Sequence, residues 1–302
     1  MMKTTETVNL SDYISAEEMR PLLARSDWLA GRMTLFNLAV MATAFALPVM
    51  WLNPLTVLLA VLLLGGRQLG LAVLYHECAH QIFFKARWLN DAFGTWLCGG
   101  LMNTSLARYR AYHLDHHRHA GTDQDPDFTM ANAYPAEPAS MRRKLTRDLT
   151  GRTGFKDLRR QIKSFGLARN APFLASHGLM LGLLALAGAP WAYALWWLAY
   201  LVAYQTITRI RFMSEHGVAV NRLSADVREN TVTTLVSWWE RLLIGPNFVN
   251  YHLEHHLQAG VPCYRLRRFH DLLKERGFFG GCPQPERCFS NGYLHVLRKA
   301  TA

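Results

Sequence analysis

Residues 33–80 read MTLFNLAVMATAFALPVMWLNPLTVLLAVLLLGGRQLGLAVLYHECAH. Met33–Leu52 carries no charge over about twenty positions, enough to cross a hydrocarbon core of roughly 30 Å. Asn53-Pro54 marks a tight turn. Leu55–Tyr75 returns, interrupted only by Arg67 and Gln68, and delivers His76-Glu77-Cys78-Ala79-His80 to the side on which the hairpin began. Arg67 sits deep in its segment, where an ionisable group is costly. Either it snorkels to the polar side or the helix outlasts the membrane there.

A second apolar pair, Ala171–Gly188 and Trp191–Thr208, is joined at Ala189-Pro190. Between the pairs, Ala92–Leu106 is apolar but rich in small residues, which fits a re-entrant or interfacial helix. Upstream, Ser15 and Glu18 form a capping box that predicts a helix over Ala16–Ala24. No basic start, apolar run and cleavage site follow one another at the N-terminus, so no signal peptide is expected. The chain has 302 residues, 33 Lys and Arg against 22 Asp and Glu, and a formal net charge of +11. The turns at Asn53-Pro54 and Ala189-Pro190 carry no Lys or Arg, whereas Arg108–Arg169 and Arg209–Lys299 carry thirteen each. The positive-inside rule places both basic regions and the N-terminus in the cytoplasm. Topology therefore accounts for the charge, and nucleic acid is not an expected partner, because no recognised module accompanies it.

The expected fold is an all-α integral membrane protein. Four transmembrane helices form two hairpins, and a cytoplasmic helical cap carries a His-rich di-metal site. A single domain spans 1–302: a cytoplasmic segment (1–32), the first hairpin (33–75), a cytoplasmic or interfacial region (76–170), the second hairpin (171–208) and a second cytoplasmic region (209–302).

The thirteen histidines cluster. His76 and His80 are spaced i and i+4. His113-Leu114-Asp115-His116-His117 and His252-Leu253-Glu254-His255-His256 repeat one pattern, in which i, i+3 and i+4 share a helical face. Topology puts all three on one membrane side, which points to metal. One ion takes about four such ligands, so these eight suit two, and imidazole suits iron, zinc or copper. Glu77, Asp115, Glu215 and Glu254 are candidate acceptors for the other ring N–H.

With these motifs the chain resembles the membrane fatty acid desaturase superfamily from about Tyr75 to Pro262. His76–His80 is similar to the first histidine box. His113–His117, followed by Gly121-Thr122-Asp123-Gln124-Asp125-Pro126-Asp127, is similar to the second. Asn250-Tyr251-His252–His256, followed by Val261-Pro262, is similar to the third, and Ser214-Glu215-His216-Gly217 to the extra histidine site. The resemblance implies nine metal ligands: His76, His80, His113, His116, His117, His216, His252, His255 and His256. It implies two iron ions (non-haem di-iron), O2 as co-substrate, and C–H abstraction by an iron-bound oxidant that introduces a double bond into a lipid acyl chain. Hydroxylases and carotenoid ketolases share the constellation. His252 stands where front-end desaturases have Gln, and the first box has three residues between its histidines where acyl-CoA desaturases have four. No cytochrome b5 module is expected within the chain, so electrons come from a separate carrier of ferredoxin, rubredoxin or cytochrome b5 type, which the basic loops could dock. The expected location is a bacterial inner membrane, with the active site on the cytoplasmic side.

Two other readings compete. His76–His80 is also HExxH, a zinc protease signature with Glu77 as general base; it leaves both HxxHH boxes idle. A metal transporter would line its spans with ionisable groups, and only Arg67 and His177 lie there. Among the remaining residues, His119 is not expected to be a ligand, His177 is expected to hydrogen-bond between helices, and His270 and His295 to be ordinary surface residues. Trp196, Trp197, Trp238 and Trp239 are read as interfacial or packing residues in preference to acyl-channel walls. Cys78 is expected to point away from its box. Cys282 and Cys288 are not expected to pair, given a reducing compartment.

Overall fold

The computed structural model describes residues 8–282 and 289–301. Helix α1 (Ala16–Leu23) starts at the Ser15–Glu18 capping box, both halves of which form. Helices α2 (Asp27–Met50) and α3 (Pro54–Ala79) pack as the expected hairpin. Asn53 caps α3 by accepting from the amides of Leu55 and Thr56, and Pro54 takes the first helical position, where its missing N–H costs nothing. These are the two helices long and apolar enough to cross a membrane among the described residues.

Helix α3 continues nine residues past Arg67 before reaching His76, and this second half is enclosed by protein. Arg67 is 1% exposed. Its guanidinium donates to Asn37 Oδ1 at 2.9 Å and to the Leu242 carbonyl. The chain thus covers this cation with its own C-terminal region, and it does not snorkel. Close approach requires glycine here: a Cβ on Gly66 would lie 2.7 Å from the Leu243 carbonyl, and one on Gly65 2.5 Å from Ala203 Cβ.

Helix α4 (Arg87–Phe93) runs on through a π segment (Gly94–Gly99) and a last turn, α5 (Gly100–Met102), packed against the third apolar helix. Helix α6 (Leu106–His119) carries the second box. Helices α7 (Phe128–Ala131), α8 (Pro138–Leu149) and α9 (Arg152–Lys163) follow. Helix α10 (Ala171–Leu186) is apolar but only 16 residues long, about 24 Å at 1.5 Å per residue. It ends two residues short of the expected span, where Gly188 turns the chain at φ +72°.

The expected fourth span is a helical run of changing type. A 3₁₀ turn (Pro190–Ala192) leads into α11 (Tyr193–Leu198), a π segment (Ala199–Tyr204), α12 (Gln205–Phe212) and a π turn (Met213–Gly217) that carries His216. π turns shift side-chain direction inside a helix and recur at functional sites. The remaining elements are α13 (Val227–Asn230), β1 (Thr233–Leu235), α14 (Trp238–Leu243), α15 (His252–Leu257) with the third box, α16 (Cys263–Glu275), β2 (Phe289–Asn291) and α17 (Tyr293–Lys299). The two short strands pair in parallel. Strand β1 and the residue before it also tie two box segments together: Val232 N donates to the Glu215 carbonyl at 2.9 Å and Thr234 N to the Asn250 carbonyl at 3.0 Å.

Three outlying expectations fare differently. His177 hydrogen-bonds between helices, to Tyr193 Oη at 2.8 Å and to the Leu101 carbonyl at 3.1 Å. Trp196 is core, while Trp238 is 78% exposed. Cys282 is disulfide-bonded, contrary to expectation, and Cys288 lies outside the described residues. The expectation came from the compartment, which governs oxidation and not how close two sulfurs lie.

Candidate metal centre

Four segments converge on one point: the C-terminal end of α3, the C-terminal half of α6, the π turn at Met213–Gly217, and α15. They bring nine imidazoles into two groups. His76, His80, His113, His117 and His255 form one group; His116, His216, His252 and His256 form the other. Within each group, one ring nitrogen per residue lies within 4.8 Å of all the others. The groups are adjacent, with the His117 and His256 rings stacked at 4.3 Å between centroids. Each HxxHH box feeds both groups. In the second box, i and i+4 (His113, His117) go to the five-histidine group and i+3 (His116) to the other. In the third box the assignment is reversed: His252 and His256 join the four-histidine group and His255 the five.

This donor set fits metal ions. His117 Nε2 lies 3.0 Å from both His113 Nε2 and His255 Nε2. His252 Nε2 lies 3.1 Å from His216 Nε2 and from His256 Nε2. Nitrogens about 2.1 Å from a shared ion and at right angles are about 3.0 Å apart. The buried Nε2 atoms of His76 and His80 have no hydrogen-bond partner among the described residues, and orphaned buried nitrogens are costly unless a further group meets them. Burial and the neighbouring histidines hold the rings neutral: His80 is pushed down to about 4, His117 to about 2 and His216 to about 3. Neutral imidazole is the ligating form.

The far ring nitrogens are held in turn. His216 Nδ1 donates to the Asn230 carbonyl at 3.1 Å, which fixes its tautomer and frees Nε2 as a lone pair. His116 Nδ1 lies 2.7 Å from Asp125 Oδ1. His76 Nδ1 lies 3.2 Å from Glu77, and His252 Nδ1 3.4 Å from Glu215. Of the four acids expected to act this way, Glu77 and Glu215 do. Asp115 instead pairs with Arg118 and His119. Glu254 accepts from His270 at 2.6 Å, which makes His270 a buried structural residue and not a surface one. His119 stays outside both groups, and the half-buried His295 accepts from the Asn291 amide. Cys78 is buried beneath the box and takes no part.

Asp125 was visible only as part of the polar turn after the second box, with no role attached to it. Burial works against its charge, but the His116 hydrogen bond holds its carboxyl below the ordinary value. Asp125→Asn is expected to weaken metal affinity by about 10–100-fold, read as iron retained on titration with a chelator. Retention equal to wild type would remove Asp125 from the centre.

A cavity of about 490 Å³ opens beside the five-histidine group, between α3, the 102–109 stretch, α9 and the 200–211 run. His76 and Arg211 lie among its walls, with Tyr75, Tyr109 and Tyr200 along it. Part of its wall is polar, where Asn103 donates to Gln161 at 2.9 Å and Gln161 to Tyr200 Oη at 2.8 Å.

Comparison with known proteins agrees with this geometry. The family model for fatty acid desaturases matches residues 51–283. The chain is 28% identical over 239 residues to the dihydrorhizobitoxine desaturase of Bradyrhizobium elkanii, covering 72% of this chain and 66% of that one. It is 27% identical over 260 residues to an sn-1 oleoyl-lipid 12-desaturase of Synechocystis, covering 76% and 69%. It is 29% identical over 228 residues to a beta-carotene ketolase of a Paracoccus strain, covering 70% and 79%. The chain thus spans about two thirds of the length of the first two relatives. With the family match running through every histidine of both groups, the chain belongs to the fatty acid desaturase family and is a membrane oxidoreductase.

Proposed function

We propose that the protein is an O2-dependent non-haem di-iron desaturase that introduces a double bond into a lipid acyl chain. The observation that carries this reading is the pair of histidine groups, five and four, side by side, with His76 lining an adjoining cavity. His76, His80, His113, His117 and His255 would hold one ion. His116, His216, His252 and His256 would hold the other. Iron bound there would supply the reduction of O2 and the removal of hydrogen from an unactivated C–H bond. In the overall balance, a saturated –CH2–CH2– unit loses two hydrogens. O2 accepts those two electrons and two more from a carrier, takes up two further protons, and leaves as two waters. The carrier is a separate protein of ferredoxin, rubredoxin or cytochrome b5 type.

The chain's own part is to position and to exclude water. Asp125, Glu77, Glu215 and the Asn230 carbonyl orient the rings. The tyrosines around the cavity exclude water from the substrate carbons nearest His76. The Asn103–Gln161 wall of the cavity suits the polar end of an amphiphile. The protein is read as one domain over 1–302, with four spans in two hairpins. The centre is read as lying on the cytoplasmic side of a bacterial inner membrane, as the Lys and Arg distribution favours.

Hydroxylation or ketolation is the second reading, favoured by the ketolase relative; only the substrate's position relative to the irons separates these outcomes. The protease reading fares worse, because Glu77 accepts from the Cys263 amide at 2.7 Å and faces His76 with its other oxygen, which leaves it unfit as a free general base. The test is metal and product analysis together. The purified protein is expected to hold about two irons per chain, and expressing cells to accumulate an unsaturated lipid two hydrogens lighter than its precursor. A product that has gained one oxygen, with its hydrogens kept or with two lost, would establish the hydroxylase or the ketolase reading respectively. One zinc and no iron would overturn both.

A further inference from the structure

A second groove, of about 710 Å³, lies on the opposite face of α3 from His76, between the first half of α2 and the α14 region. Its walls combine three guanidiniums, Arg32, Arg67 and Arg241, with the rings of Phe36, Trp238 and Phe248. No carboxylate lines it among the described residues. Arg241 stacks over Phe248 at 5.0 Å, and neither Arg32 nor Arg241 forms an ion pair among the described residues. Arg67 is 1% exposed, and its Nε has no hydrogen-bond partner among the described residues although its other nitrogens do. A buried donor of a cation is costly to leave unmet.

Depth decides what the groove fits. Arg32 directly precedes the apolar stretch of α2. Asn37, which holds Arg67, lies five residues further along, about 7.5 Å deeper at 1.5 Å per residue. Val40 lies deeper still on the same groove wall. Positive charge therefore sits at the rim, where Arg241 Nε is also buried without a hydrogen-bond partner among the described residues. The unmet Arg67 Nε lies at intermediate depth, and apolar surface lies below. Trp238, 78% exposed, stands where an interfacial aromatic belongs.

We propose that this groove binds an anionic phospholipid of the cytoplasmic leaflet. Its phosphate meets Arg32 and Arg241, an oxygen of its ester region meets Arg67 Nε, and one chain lies along Phe36 and Val40. The site is separate from the metal centre, so its test does not depend on turnover. Purified protein carrying its metal is titrated with phosphatidylglycerol or phosphatidylcholine in mixed micelles, and the lipid retained is counted by native mass spectrometry. Phosphatidylglycerol is expected to bind preferentially. Arg32→Gln and Arg241→Gln should each weaken it about fivefold, the share of one guanidinium at an anionic surface. Phosphatidylcholine retention and iron content should stay unchanged. Arg67→Gln is avoided because the buried Asn37 contact makes misfolding its first effect. Trp238→Ala serves as the second variant, expected to weaken both lipids. Equal binding of the two lipids by the wild type would overturn the proposal, as would unchanged phosphatidylglycerol affinity in both Arg variants. So would inorganic phosphate displacing the lipid at millimolar concentration, which would mark a free-anion site.

Discussion

His256→Ala is expected to lower activity by at least about a thousandfold and to take iron from about two per chain to about one. Removing an outer partner of a metal ligand typically costs 10–100-fold, and removing the ligand itself costs more. His256 belongs to the group with only four imidazoles, so its loss leaves three. His80→Ala, by contrast, leaves four in the five-histidine group and should retain more iron, although it too lowers activity. The contrast separates the two groups experimentally. Iron counts by plasma emission on the two variants, with circular dichroism to confirm that each is folded, decide it. If His80→Ala loses all metal while His256→Ala keeps it, the partition of nine histidines into five and four is wrong. The HExxH reading of His76–His80 would then regain its standing.

That partition was not legible in the sequence. The spacing of HxxHH shows that i, i+3 and i+4 share a helical face, and so it announces a metal site. It does not show that α6 and α15 approach so that adjacent histidines, His116 and His117, or His255 and His256, turn to different groups. Spacing along one helix fixes directions relative to that helix only, while the assignment depends on the angle between two helices. The first hairpin was legible because its signals are local: an uncharged stretch of helical length and an Asn-Pro turn. The histidines of the C-terminal half were named through their spacing and the family resemblance, but the framework that positions them was not, because strand β1 and the π turn around His216 depend on long-range contacts such as Val232 N to the Glu215 carbonyl. Arg67 marks the same boundary. Its cost in an apolar helix is plain from sequence, but the Leu242 carbonyl that meets it lies 175 residues away. His270 failed for a related reason, since Glu254 rather than solvent receives its ring.

Glu215→Ala is expected to destabilise the protein by about 3–5 kcal/mol, the usual cost of stranding one member of a buried ion pair, and to lose iron from the four-histidine group. Glu215 is 4% exposed and joins two partners, the Arg211 guanidinium and His252 Nδ1. Burial pushes its carboxyl up from the ordinary value, and the Arg211 guanidinium beside it pulls the other way. Two effects are thus tied to one side chain, and a double variant separates them. Replacing both members of a buried pair with apolar residues of similar volume is often neutral. Arg211→Met combined with Glu215→Leu should therefore recover most of the thermal stability that Glu215→Ala loses. It should not recover the iron, because His252 Nδ1 still lacks its acceptor. Glu215→Gln, which keeps an acceptor oxygen but not the charge, should hold more iron than the double variant while being less stable. Thermal unfolding and iron content measured on the three proteins give the answer. If the double variant regains its iron along with its stability, Glu215 acts only as the counter-ion of Arg211, and His252 needs no second partner to keep its lone pair turned toward the centre.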